Sequence, residues 1–281
     1  MSVGTLYVVA TPLGHLGDLS PRATATLRAV DTVAAEDTRR TRHLLSAIDA
    51  HPRVVSYHAH SAPRRRDELV ALLAGGADVA LATDAGTPGI SDPGADLVRA
   101  ARAAGATIVP VPGPSAVATA LSAAGLPSDR YLFVGFLPRK GSARRLFLER
   151  AAGEPWSIVF FEAPGRLAEL LEDLAAHCGG DRSAVVAREM TKLHEDFRSG
   201  TLAELRDHYV AAPPRGEVTL VVAGTGDAGE RAEPAPDADE VAALIRSRLA
   251  AGDSRKDVVR AVATRFGLPR NDAYRWVVMS S

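Results

Sequence analysis

The stretch Leu81–Gly94, LATDAGTPGISDPG, constrains this chain more than any other. It follows an apolar run, Val79 to Ala82, with the length and composition of a buried strand. Gly86, Gly89, Gly94, Pro88 and Pro93 then surround Asp84 and Asp92, and a helix is expected near Pro93 with Ala95, Leu97, Val98 and Ala101 buried. Strand, glycine-rich turn and helix in that order present backbone N–H groups at the carboxyl edge of a sheet, where α/β folds bind ligands. Gly, Pro and Asp also dominate ordinary turns for steric reasons, so this stretch alone leaves both a ligand site and a well-made loop open.

The same alternation recurs along the chain. Strands are expected at Leu6–Ala10, Val33–Ala35, Val54–His58, 79–82 and Thr107–Val111. Between them, Ser20-Pro21 places an N-cap and a first-turn proline, and helices are expected over about 65–74, 95–104 and 116–124. A second turn, Pro112-Gly113-Pro114-Ser115, follows the fifth strand. This β-α-β-α-β pattern specifies a parallel, helix-covered sheet. A second unit begins near Asp129, with strands at 131–136, 157–161, 183–187 and 217–223 and helices at 142–151, 164–176 and 202–211. The expected organisation is α/β: residues 1–126 as one domain, 127–226 as a second, an acidic Pro/Ala linker at 227–239, and a helical module at 240–281. The module reads as two helices broken at Gly267-Leu268-Pro269.

Composition excludes several classes. The net charge of −1 rules out a chain that is basic throughout, yet Lys140, Lys192 and Lys256 are its only lysines, so positive charge is almost all arginine. Arginine makes planar, bidentate contacts with phosphate, which gives local arginine clusters weight. A single cysteine, Cys178, permits no internal disulfide. The histidines are scattered and no metal-ligand spacing occurs, so no metal site is expected. No apolar run approaches the roughly 20 residues that span a bilayer, and no signal peptide is expected. A soluble, cytoplasmic protein is expected. Gly224-Thr225-Gly226-Asp227-Ala228-Gly229 matches G-x-G-x-x-G but lacks the helix that would complete a dinucleotide site. There is no G-x-S-x-G elbow for a serine nucleophile.

Four further loops follow predicted strands and carry charge: Glu36-Asp37-Thr38-Arg39-Arg40, His58-Ala59-His60, Phe161 to Arg166, and Arg188-Glu189-Met190-Thr191-Lys192. In parallel sheets all four would share the carboxyl edge with the opening turn. With LYVVATPLGHLGDLSPRA, AAEDTRRTRHLL, LATDAGTPGISDPG, VPVPGPSA, VGFLPRKG, FFEAPGR, REMTKLHEDFRSG and RGEVTLVV, the chain resembles the tetrapyrrole methylase superfamily, and within it the ribosomal RNA small subunit methyltransferase I group. The resemblance runs through almost the whole chain. His58-Ala59-His60-Ser61 departs from the group's usual His-Glu-x-Asn, and Met190 replaces a leucine.

The resemblance implies two α/β domains with S-adenosylmethionine in the cleft between them, a homodimer, and methylation of a cytidine ribose 2′-hydroxyl in the decoding region of 16S ribosomal RNA within the small subunit. It places Pro12, Asp84, Ala85, Gly86, Thr87, Ser115 and Ala116 around the cofactor, with Phe161 and Thr219 contributed by the second domain. In-line methyl transfer from a sulfonium needs positioning and no metal, and a weak hydroxyl nucleophile benefits from a base or a nearby cation. Lys192 is the candidate for stabilising an alkoxide, with Glu189 or Glu162 as base and Asp37, Glu36 and Arg166 beside them. Arg39, Arg188, Arg64, Arg65, Arg66, Arg139, Lys140, Arg144, Arg145 and the tail cations Arg255, Lys256, Arg260, Arg265 and Arg270 are candidates for holding RNA phosphates. Competing readings are a small-molecule tetrapyrrole methylase and a non-catalytic RNA-binding assembly factor.

Overall fold

A computed structural model of the protein describes residues 3–58, 63–226, 238–266, 268 and 270–279. The chain divides into two compact units, Met1–Thr225 and Gly226–Ser281. In the first, β1 (Thr5–Val9), β2 (Thr32–Ala35), β3 (Arg53–Ser56), β4 (Val79–Ala82) and β5 (Thr107–Val111) form one sheet in the order β3-β2-β4-β1-β5. Every pairing in it is parallel. The sequence reason is plain at β4, whose four residues are all buried because both faces are covered. Ala80 and Ala82 point to the face packed by α1 (Pro21–Ala29) and α2 (Thr38–Ala47). Val79 and Leu81 point to the face packed by α3 (Pro63–Ala74) and α4 (Ala95–Ala103). The helix α5 (Ala116–Ala124) follows β5.

The second sheet comprises β6 (Tyr131–Phe136), β7 (Ser157–Glu162), β8 (Ser183–Arg188), β9 (Asp196–Thr201) and β10 (Val218–Val222), ordered β6-β7-β10-β8-β9. It is mixed, so the condition of parallel strands holds in full only for the first sheet. Only β6 and β7 pair in parallel, while β10 runs antiparallel to both its neighbours and β9 antiparallel to β8. One face is covered by α6 (Ser142–Ala151), α7 (Leu167–Cys178) and α8 (Leu202–Ala211) around Phe160, Val186 and Leu220. Val117, Ala120, Leu121 and Ala124 of α5 pack against Val159, Val185 and Val221 on the other face. The small residues of α5 are thus explained by close approach to the second sheet.

Three elements depart from the sequence reading. Thr38–Ala47 is a helix capped by Asp37, whose carboxylate accepts the Arg39 N–H at 2.8 Å. The strand β9 has no apolar signature, since it lies at the sheet edge. The tail holds three helices rather than two: α9 (Ala238–Ala250), α10 (Arg255–Phe266) and α11 (Arg270–Met279), around Val241, Ile245, Val258, Val262, Ala273 and Val277. The unexpected break lies at Gly252, which adopts φ +86°. Residues 227–237 of the expected linker, Gly229 of the G-x-G-x-x-G match, His60 and Ser61, and Gly267 and Pro269 lie outside the described residues. No helix among the described residues is long and apolar enough to cross a membrane.

Candidate functional site

The turn 84–92 is held at several points to the loops beside it. Thr11 and Gly86 exchange backbone hydrogen bonds of 2.9 and 3.0 Å, and the Thr11 hydroxyl donates to the Thr83 carbonyl at 3.0 Å. The Thr87 hydroxyl donates to the Pro114 carbonyl at 3.0 Å, tying the two glycine/proline turns together. Gly86 sits at φ +85°, a conformation that L side chains rarely adopt. Pro12 prevents β1 from continuing and directs the chain across this edge.

These turns form one side of a cavity of about 370 Å³. Asp84, Ala85, Gly86, Thr87, Ser115 and Ala116 line it from the first sheet, together with Glu36, Arg40 and Asp92. Phe161 and Glu162 at the end of β7, Met190 beyond β8, and Glu217 to Thr219 at the start of β10 line it from the second. The antiparallel β10 is what makes this convergence possible, because its first residue pairs with both Glu162 and Arg188. The amino end of β10 therefore lies beside the carboxyl ends of β7 and β8. Eight of the nine cofactor candidates thus face one cavity. Pro12 does not; it lines a neighbouring depression of about 220 Å³ that shares Leu13, Arg40 and Asp84 with the main cavity.

The wall is acidic. Glu36, Asp84, Asp92, Glu162 and Glu217 face Arg40, the one cation among the described lining residues. Burial, followed by the charge of Glu36, pushes the Asp92 carboxyl up to about 7, with smaller pushes from Asp84 and Glu217. Burial and then the charge of Asp84 also hold Glu36 above the ordinary carboxylate range. Asp84 accepts the Asp37 N–H at 2.9 Å and lies 3.6 Å from the Arg40 guanidinium. Glu162 is buried, with Oε1 accepting the Ala163 N–H at 2.8 Å and 3.3 Å from Arg166. Its Oε2 and the Arg166 Nη2 are both buried without a hydrogen-bond partner. Such a pair of orphaned polar atoms is expensive unless a ligand satisfies it. Among the described residues no cluster of His, Cys, Asp or Glu could hold a metal ion.

The other catalytic candidates occupy the edge rather than the cavity. Lys192 Nζ bonds Glu189 Oε1 at 2.9 Å and Glu217 Oε2 at 3.1 Å, and does not line the cavity. Burial works to lower the Lys192 ammonium, but its bonds to Glu189 and Glu217 outweigh that and the pKa is raised. The same contact with Lys192, and the Glu217 N–H at 2.9 Å, hold Glu189 below the carboxylate range. A carboxylate so stabilised is a poor proton acceptor. Glu189 and Thr191 both adopt positive φ, 51° and 65°, and Gly216 leaves room for Glu189 because a Cβ there would lie 2.2 Å from Oε1. The Thr191 hydroxyl accepts the His15 N–H at 3.1 Å, so this loop is joined to the one after β1. Asp37 serves α2 as its cap, and Arg39 beside it is exposed.

The RNA candidates separate similarly. Arg64 and Arg65 both pair with Glu68, and Arg66 with Asp67, so that cluster is largely self-neutralised. Arg144 is buried, donating to Asp173 and to the Pro138 carbonyl, and closes the loop before α6. It is a structural residue, which corrects its assignment to phosphate. Arg139 and Lys140 are exposed on that loop, and Arg188 ends β8. Arg255, Lys256, Arg260 and Arg265 lie on α10, where Arg260 pairs with Asp257.

Sequence reasoning does not single out Asp92 or Glu217 as site residues. Asp92 carries the signal of a carboxylate between two turn glycines, whereas Glu217 becomes visible only once β10 is known to be antiparallel.

Comparison with known proteins places this cavity in context. Residues 5–206 match the family model described as Tetrapyrrole (Corrin/Porphyrin) Methylases. A ribosomal RNA small subunit methyltransferase I from Synechocystis sp. is 43% identical over 273 residues, 97% of this chain and 97% of that relative. One of the same description from Pseudomonas aeruginosa is 51% identical over 227 residues, 80% of each. A uroporphyrin-III C-methyltransferase from Thermus thermophilus, solved in complex with S-adenosyl homocysteine, shares the fold with a TM-score of 0.57 at 18% identity, over 78% of this chain and 97% of that one.

Proposed function

The chain belongs to the tetrapyrrole methylase family, and within it to the ribosomal RNA small subunit methyltransferase I group, and from that premise we propose that it methylates small-subunit ribosomal RNA using S-adenosylmethionine. The observation that carries this reading is the acid-walled cavity where the edges of the two sheets meet. The cofactor supplies a methyl group on a sulfonium sulfur, a cation that suits five carboxylates facing a single arginine. Phe161 and Met190 supply apolar surface, and the turns around Gly86 and Ser115 supply backbone groups. The unpartnered Glu162 Oε2 offers an acceptor to an ammonium or hydroxyl. The residues present therefore fit the group.

The finer assignment follows the resemblance: the acceptor is a cytidine ribose 2′-hydroxyl in the decoding region, presented by the small subunit to a homodimer in the cytoplasm. Two wall carboxylates suit removal of the hydroxyl proton. Glu162 is buried and incompletely bonded, and Asp92, with a value near 7, has the basicity such a step favours. Lys192 holds Glu217 and Glu189 in place, so its charge reaches the cavity through Glu217. A tetrapyrrole substrate is disfavoured because identity to tetrapyrrole enzymes such as the Thermus protein is 18%, against 43% and 51% to the ribosomal RNA enzymes.

Incubating protein, radiolabelled S-adenosylmethionine and small subunits should place label on the ribose of one cytidine in the decoding region. Label on a base, or none on RNA at all, would overturn the assignment.

A further inference from the structure

The 220 Å³ depression beside the main cavity has no assigned occupant. Pro12, Leu16 and Leu44 give it apolar walls, and Thr41 and Thr83 add hydroxyl-bearing side chains. Leu16, 46% exposed, stands at its rim. Leu13, Arg40 and Asp84 form the partition, lining this depression and the main cavity together. A ligand seated here therefore borders whatever occupies the main cavity.

The flanking surface is basic. The exposed side of α2 carries Arg39, Arg40, Arg42 and His43, of which Arg39 meets the capping Asp37 only at 3.5 Å. Arg40 is ion-paired with Asp84 at 3.6 Å but its side chain is 62% exposed, so its guanidinium can also meet a ligand. Arg42 bonds the neutral Thr38 hydroxyl, at 3.2 Å. A ribose hydroxyl is displayed in the RNA minor groove, and it reaches deepest into a recessed protein cavity when its nucleotide is unstacked and splayed out. The extruded base then needs an apolar slot with a few polar groups, and its flanking phosphates need cations.

We propose that this depression is the acceptor-nucleotide subsite: it takes the extruded pyrimidine base, Arg40 holds the nucleotide at the partition, and Arg39 and Arg42 hold the adjoining phosphates. The inference rests on the methyltransferase reading above and adds to it the place where substrate, rather than cofactor, is recognised. It moves Pro12 from the cofactor to the base.

The test uses the full chain, small subunits and radiolabelled S-adenosylmethionine. Leu16→Trp, at an exposed position in a short 3₁₀ turn, should fill the depression from its rim. Methylation kcat/KM for subunits should fall roughly tenfold or more, the scale of steric exclusion from a fitted pocket, while calorimetric affinity for S-adenosylmethionine stays within about twofold. Arg40→Met should lower kcat/KM similarly. A short RNA carrying a fluorescent cytidine analogue at the target should brighten on binding the wild-type protein, as unstacking predicts, and brighten less with Leu16→Trp. Loss of cofactor affinity in Leu16→Trp would assign the depression to the cofactor and overturn the subsite. So would methylation at the wild-type rate by both variants. Failure of the wild-type protein to label subunits overturns the proposed function, and the subsite with it.

Discussion

Asp92 shows how one side chain couples burial to chemistry. Its carboxyl is pushed from 3.8 to about 7 by desolvation and by neighbouring carboxylates. The folded protein thus keeps a proton there that the unfolded chain releases, so this group's contribution to stability is present in acid and declines as pH rises from 3.8 to about 7. Function runs the opposite way, since the ionised form is both the counter-charge for a sulfonium and the better base. Single-turnover methylation should therefore climb as pH passes through about 7. Asp92→Asn should be slower by roughly 10²-fold or more, flat across that range, and more thermostable than wild type above pH 7. A wild-type pH profile retained in Asp92→Asn would exclude Asp92 as the titrating group. The glycines and prolines of this turn were legible in the sequence because a turn dictates its residue types locally. The pKa of Asp92 was not, because it depends on burial and on Glu36 and Glu217, which only the fold brings near.

At the scale of elements, what the sequence revealed follows burial. Strands covered on both faces, such as TLYVV and VALA, announce themselves as continuous apolar runs. The helix α2, TRRTRHLLSA, buries only Thr41 and Leu45 and reads as a charged loop. The edge strand β9, DFRSGT, has no buried residue and gives no alternation at all. Charge patterning misled in the first turn of α6, where Arg144 resembles the exposed Arg145 but is 7% exposed and bonded to Asp173. Arg144→Ala should lower unfolding stability by about 2–4 kcal/mol, because it leaves Asp173 and the Pro138 carbonyl without their donor. Urea denaturation would measure this, and filter binding should show RNA affinity unchanged in the folded fraction. Likewise Gly216→Ala places a methyl group at φ +87° against Glu189. It should cost about 1–3 kcal/mol in the same assay.

The whole molecule separates into a unit holding both sheets and a helical unit with its own core of valines, Ile245 and Ala273. Truncation after Thr225 should leave cofactor affinity intact by calorimetry. It should weaken binding to small subunits, with the salt dependence shallower by roughly one unit for each phosphate that the tail no longer neutralises. Full binding and methylation by the truncated protein would show that the basic helices do not serve RNA. The position of β10 has a further consequence, this time for synthesis. The first sheet is complete once residue 111 has been made, but in the second β7 and β8 are kept apart until β10 arrives between them. A nascent chain that stops before residue 218 therefore exposes two open strand edges and the apolar faces beside them, the surfaces on which chains aggregate. The strand that completes the sheet also carries Val218 and Thr219 into the cavity wall. The growing protein cannot acquire its ligand site before its sheet is sealed, so a ribosome-stalled fragment is both sticky and inert.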